Sequence, residues 1–150
     1  MFIKELTTEE CFGILAEKRV GRLACARDNQ PYIVPFHFVV DGGKYFYAIS
    51  TRGQKIEWMR ANSLVCVEVD EIKNQFEWIS LVVFGRYQEL PDASEFEIER
   101  NHAYELLSRY ALWWEPAYVT GAHLLLAADD KPIYFRIFID KITGRRAFSD

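Results

Sequence analysis

Tyr32-Ile-Val-Pro-Phe-His-Phe-Val-Val-Asp-Gly-Gly-Lys-Tyr-Phe-Tyr-Ala-Ile49 is the stretch whose reading decides the fold. Two apolar runs flank Asp41-Gly42-Gly43, and paired glycines supply at low cost the positive φ that a tight hairpin demands. Residues 32–40 and 44–49 therefore read as neighbouring antiparallel strands. In the first, Tyr32, Val34, Phe36, Phe38 and Val40 share one face, and Ile33, Pro35 and Val39 share the other with His37. A sheet wetted on one side alternates more cleanly than this. The second face needs its own apolar cover, from a second subunit, a bound ring system or a helix.

Working outward, strands are predicted over 20–26, 64–69, 76–89 and 133–139, which makes six. Thr7 and Glu10 have the spacing of a capping box and open a first helix. Phe12, Leu15 and Ala16 share its face, and Gly21 lies beyond its end. A short helix over 52–61 follows a strand directly, with Asn62 at its C-terminal end. A longer one over 93–110 has Asp92 and Glu95 at capping-box spacing, with Phe96, Ala103, Leu106, Leu107 and Tyr110 at helical period. Between Trp113 and Lys131 the pattern is irregular. Six strands with few helices predict a mainly β fold, a closed antiparallel β-barrel with flanking helices, as one domain over 1–150.

Composition narrows the function classes. Half of the 150 residues are hydrophobic and 15% are aromatic, the opposite of a disordered chain. The formal net charge is −4 and no basic block stands out, so nucleic acid is not an expected partner. Cys11, Cys25 and Cys66 are odd in number and widely spaced, with no histidine three or four residues away. Neither a disulfide framework nor a metal site is expected. The three read as reduced thiols, with Cys25 and Cys66 filling apolar strand faces. Met1-Phe2-Ile3-Lys4-Glu5 holds no apolar signal core, and no run approaches the roughly 20 apolar residues of a membrane helix. The cytoplasm is the expected compartment, with no membrane partner.

Chemistry concentrates in Tyr45-Phe-Tyr-Ala-Ile-Ser-Thr-Arg-Gly-Gln-Lys55. A strand ends, Ser50 and Thr51 offer hydroxyls, and a helix begins beside Arg52, Gly53 and Lys55. Free N–H groups at a helix start favour an anion. Arginine grips two phosphate oxygens at once, lysine adds a compact charge, and glycine permits close approach. The same residues also fit an ordinary capped helix, since Thr51 and Gln54 have capping-box spacing. Pro35 inside Val34-Pro-Phe-His-Phe38 marks an edge or bulge, because proline lacks the N–H of a central strand. His37 is a ligand, a general acid or a plain polar strand residue. Gly85 within the long strand marks a bulge or a close backbone contact. Trp78 belongs to the core on this reading.

These pieces occur in the order of a known family. The chain resembles the pyridoxamine 5'-phosphate oxidase-like flavin-binding proteins, and within them a short bacterial branch of flavin-nucleotide-binding proteins that includes nitroimidazole-resistance proteins. The resemblance is carried by Gly21-Arg22-Leu23-Ala24, Pro31-Tyr32-Ile33-Val34-Pro35, Tyr45-Phe46-Tyr47, Gly53-Gln54-Lys55, residues 62–68, Gly85-Arg86 and Ile142-Thr143-Gly144-Arg145. It implies a six-stranded antiparallel split barrel of the FMN-binding type, and a homodimer with two FMN molecules in interface clefts. Ser50, Thr51, Arg52 and Lys55 match the phosphate grip. Val34, Pro35, Phe36 and His37 match the strand along the isoalloxazine ring, largely through backbone groups. Trp78, Trp113 and Trp114 are the residues expected to close a cleft, with Phe38, Tyr47 or Trp113 over the ring.

Two departures bear on function. Tyr47 stands where relatives in this branch often carry histidine. The chain is also short and lacks the C-terminal substrate-binding segment of true pyridoxamine phosphate oxidases, so vitamin B6 oxidation is not expected. The expected activity is FMN-dependent oxidation or reduction of a small molecule, with a reduced nicotinamide cofactor as the donor to test. The alternatives are a non-catalytic flavin carrier or sensor and, behind it, a haem protein with an axial ligand drawn from His37, His102 or His123.

Overall fold

The computed structural model describes residues 1–110 and 131–150. In chain order the elements are β1 (Phe2–Glu5), α1 (Thr8–Leu15), β2 (Val20–Arg27), β3 (Gln30–His37), β4 (Val39–Asp41), β5 (Tyr45–Ser50), α2 (Gln54–Ala61), β6 (Leu64–Asn74), β7 (Glu77–Leu90), a 3-10 turn (Ser94–Phe96), α3 (Glu97–Ser108) and β8 (Ile133–Phe148). Among the described residues eight strands join one sheet in the order β3-β2-β6-β7-β8-β5-β4, with β1 added to β8. Every pairing is antiparallel.

The closed six-stranded barrel expected from the sequence is not what forms. The sheet has eight strands and is open, because its hydrogen-bonded path ends at β3 and β4, which do not pair with each other. The cause lies at Phe38. Its N–H donates to the Arg19 carbonyl at 2.9 Å, and its ring is fully buried. The run over 32–40 is thereby split into β3 and β4, which go to opposite ends of the sheet. Seven strands laid flat at ~4.8 Å spacing would be about 29 Å wide. One intervening residue reaches about 7 Å. The sheet must therefore curl until its ends meet at Phe38. Rings fill that seam in place of a ladder: Phe38 meets Phe46 edge-on at 4.8 Å, and Phe36 lies 5.2 Å from Phe38 and 6.3 Å from Phe46.

The remaining strand differences have local causes. All four residues of β1 are exposed, so no buried face betrays it, and it is held by pairing with the end of β8, where Phe2 and Phe148 stack at 5.6 Å. β8 runs on to Phe148 and β6 to Asn74, because each finds a partner in β7 well beyond its apolar stretch. Gly42 and Gly43 turn the β4–β5 hairpin with φ of 61° and 66°, as the sequence requires. Gly85 sits at a register shift, and a Cβ there would lie 2.4 Å from the Phe138 carbonyl oxygen. Bulge and close contact therefore coincide. Gly21 lies beyond the end of α1 and within β2, where a Cβ would lie 2.8 Å from the Glu68 carbonyl oxygen.

The capping box of α1 forms with Thr7 and Glu10. That of Asp92 and Glu95 does not, since Ala93 caps the 3-10 turn instead. The main core lies inside the curl, built from Leu23, Phe38, Phe46, Val67, Leu81 and Ile137, with Leu15 of α1 and Ile56 and Met59 of α2. α3 packs Ala103 and Leu107 on the other face, over Val39, Tyr47 and Leu90. Among the described residues no helix is long and apolar enough to cross a membrane.

Candidate functional site

β5 carries Ser50 to the edge of the core, where the side chain is 5% exposed and its hydroxyl donates to the Thr51 carbonyl at 3.0 Å. The chain bends through Arg52 and Gly53 and enters α2. Gly53 is the cap residue, in an extended conformation, and no side chain caps the helix. The Thr51–Gln54 capping box is absent. The first intrahelical bond runs from the Glu57 N–H to the Gly53 carbonyl at 3.1 Å. The N–H groups of Gln54, Lys55 and Ile56 thus precede it, at the positive end of the helix dipole.

Two cations flank this opening in different states. Arg52 is 62% exposed, and its Nε donates to Glu57 at 3.1 Å. Lys55 is half-buried beside Cys25 and has no carboxylate partner among the described residues. Burial pushes its ammonium pKa down, partly offset by the neighbouring thiol. Burial likewise pushes the Cys25 thiol up, and the Lys55 charge pulls it back. An uncompensated amine held against an apolar strand gains from an anion that replaces its lost solvation.

β3 lies against the same helix. Cys25 pairs across the ladder with Tyr32, whose ring lies 5.5 Å from Trp58 of α2. Among the described residues β3 pairs only with β2, so Pro35 sits on an edge whose other side has no strand partner among them. Phe36 turns its ring into the seam at 5% exposure, leaving only its backbone for a ligand. Val34 is half-buried on that side, whereas Pro35 and half-buried His37 face outward. Burial lowers the His37 pKa and favours its neutral form. The fold therefore brings Ser50, Thr51, Arg52 and Lys55 to one helix start, with the strand of Val34, Pro35, Phe36 and His37 close by. The donor set fits a phosphate ester carrying a flat ring.

Other expected residues are elsewhere. Phe38 is fully buried in the seam and Tyr47 is 3% exposed beneath α3, so neither lines a cleft. Trp78 is half-buried rather than core. It lines an open groove of about 540 Å³ with Thr8, Ser80, Val82, Lys141 and Arg145. Trp113, Trp114 and His123 lie outside the described residues. His102 Nε2 lies 2.7 Å from an Asp41 carboxylate oxygen, and its ring meets Tyr47 edge-on at 5.4 Å. No group of metal-binding side chains occurs among the described residues.

Two features escaped the sequence reading. Arg52 is the end of a chain of polar contacts: Glu57 also accepts from Arg60 at 3.4 Å, Arg60 clasps Glu89 at 2.7 and 3.0 Å, and the Tyr87 hydroxyl donates to Glu89 at 2.6 Å. Only the Glu57–Arg60 spacing was visible beforehand. On the outer sheet face, burial and the adjacent Asp70 carboxyl push Glu68 up to about 7. The alternation Glu68-Val69-Asp70 signals that pair, since residues two apart on a strand share a face.

Comparison with known proteins identifies the family. The family model described as pyridoxamine 5'-phosphate oxidase matches residues 7–146. An uncharacterized protein of Rhizobium meliloti strain 1021 is 41% identical over 147 residues, 98% of this chain and 97% of its own. The crystal structure of a FAD-binding protein from Mesorhizobium loti has a TM-score of 0.79 at 43% identity, covering 98% of this chain and 99% of that one. A FAD-binding protein from Mycobacterium smegmatis shares the fold at 24% identity and a TM-score of 0.66, with 97% and 98% covered. The chain belongs to the pyridoxamine 5'-phosphate oxidase-like FMN-binding split-barrel family.

Proposed function

We propose that this protein binds FMN, with the phosphate at the start of α2 and the ring along β3, and works as a flavin-dependent oxidoreductase on a small molecule. The observation that carries the reading is the uncapped start of α2 beside half-buried Lys55, which has no carboxylate partner among the described residues. FAD carries a phosphate ester at the same place, and the Mesorhizobium loti relative is described as FAD-binding. Among the described residues the one site cation without a carboxylate suits the terminal phosphate of FMN, which bears more charge than a diphosphate linkage does per phosphorus. When bound, the flavin supplies the redox chemistry. The chain's own part is to hold the phosphate through Lys55, Arg52 and free N–H groups, and to offer backbone groups of β3 to the ring's polar edge.

A second copy of the chain completes the cleft in this reading. Trp78 pairs with Ala147 near the end of β8, whereas Ser50 pairs with Ile133 at its start. At roughly 3.3 Å per residue these points lie tens of ångströms apart along the strand. Trp78 therefore reaches a cleft only in a partner. Val20, Ile33, Leu64 and Phe84 leave 44 to 64% of their surface exposed, as an apolar interface would require. The three free thiols suit the cytoplasm.

The visible spectrum of the purified protein and the mass of its released chromophore test the cofactor. Flavin bands and FMN are expected, and the double change Arg52→Ala with Lys55→Ala abolishes them. A colourless protein that ignores added FMN sinks the reading, and released FAD corrects the nucleotide. The burial of Phe38 and Tyr47 favours one second reading, a carrier without turnover, because the side chains expected over the ring are absent from it. Anaerobic reduction of the flavin by a nicotinamide donor separates the two, and a flavin that no donor reduces leaves the carrier.

A further inference from the structure

A positively charged side chain on a surface bend is a poor phosphate ligand while it is free to rotate. Arg52 sits on such a bend, yet it is not loose. Its Nε donates to Glu57, which leaves the terminal nitrogens without a partner among the described residues. Glu57 is itself held, because the same carboxylate oxygen accepts from Arg60. Arg60 is clasped by both oxygens of Glu89, and Glu89 takes the hydroxyl of Tyr87, a residue of β7 that is 7% exposed. A continuous line of contacts thus runs from the sheet, across the outside of α2, to the guanidinium at its start. Its direction matters: it engages the inner nitrogen of Arg52 and presents the outer fork.

We propose that Glu57 is a positioning residue for Arg52, fixing the guanidinium so that its two terminal nitrogens meet the phosphate of the bound nucleotide. The inference rests on the phosphate role given to Arg52 above and adds the residue that makes this cation effective. The opposing effect is repulsion between Glu57 and the phosphate. It is offset because Glu57 shares its charge with Arg60, and Arg60 with Glu89, so no carboxylate along the line stands uncompensated. Ordering the long side chain before binding then decides the sign, since immobilising a free arginine is a cost that a pre-held one avoids.

The test is titration of FMN and of riboflavin, which lacks the phosphate, into flavin-free protein and its variants. Glu57→Ala is expected to weaken FMN binding about two- to fivefold, the range of exposed ion pairs, and to leave riboflavin unchanged. Glu57→Gln keeps an acceptor for Nε and recovers most of the loss, which also guards against a merely unfolded variant. In an Arg52→Ala background Glu57→Ala costs nothing more. Tighter FMN binding by Glu57→Ala, equal losses for both ligands, or an undiminished loss without Arg52 each overturn the proposal. Wild-type protein that binds FMN no better than riboflavin overturns the phosphate reading itself, and this one with it.

Discussion

Lys55 and Arg52 were alike in the sequence, two cations three residues apart, and the structure separates them. Arg52 is exposed and paired with Glu57, while Lys55 is half-buried with no carboxylate partner among the described residues. Removing Lys55 should therefore cost more FMN affinity than removing Arg52, by about tenfold for Lys55→Ala, in line with a hydrogen bond to a charged group. Isothermal titration of both variants reads the ranking. The pH dependence has a definite sign. Burial lowers the Lys55 pKa, so its charge is lost at a lower pH than for an ordinary lysine. A bound phosphate favours the charged form, so FMN affinity falls as pH rises into the alkaline range. Riboflavin shows no such fall, and Lys55→Met removes it. That both cations border a phosphate-type site was legible from residue type and spacing. Which of them stands alone was not, because Glu57 is five residues from Arg52 and Cys25 approaches Lys55 only through the packing of α2 on β2.

At the level of elements, the sequence was most legible where one residue type has one physical use. Asp41-Gly42-Gly43 turned where positive φ was needed, and Gly85 marked both a bulge and a contact too close for a side chain. Gly85→Ala should destabilise the fold by about 2 kcal/mol through overpacking against β8, visible as a lower urea midpoint with an unchanged slope. Alternation failed at Phe38, which continues the apolar face of Phe36 and Val40 and so hides the break between β3 and β4. It failed again at β1, whose residues are all exposed and whose existence depends on the far end of the chain. Capping spacing alone was no guide. Thr51 with Gln54 and Asp92 with Glu95 both have it, but Gly53 and Ala93 occupy the cap positions. Spacing permits a cap, and the entry angle of the chain decides whether it forms.

For the whole molecule, the outer face of the sheet is where assembly would be felt. A carboxylate introduced at an interface core by Leu64→Glu should convert the proposed dimer to monomer and release its flavin, which sedimentation and the visible spectrum follow together. Glu68 tests the same face in another way. Its carboxyl is raised from 4.5 to about 7, so the folded state holds a proton that the unfolded state has already lost. Stability is then full below pH 4.5 and falls as pH rises to about 7. Glu68→Gln should raise Tm by roughly 2–3 °C at pH 8, with the gain shrinking toward pH 5. A last consequence follows from the single residue between β3 and β4. The chain writes these strands consecutively, but the sheet places β2, β6, β7, β8 and β5 between them. During synthesis β2 gains its second neighbour as soon as β6 follows α2, but β5 lacks a flanking strand until β8, the last strand to be made. Newly made N-terminal halves therefore expose bare strand edges until β8 leaves the ribosome, and this is the interval in which the protein most needs a chaperone.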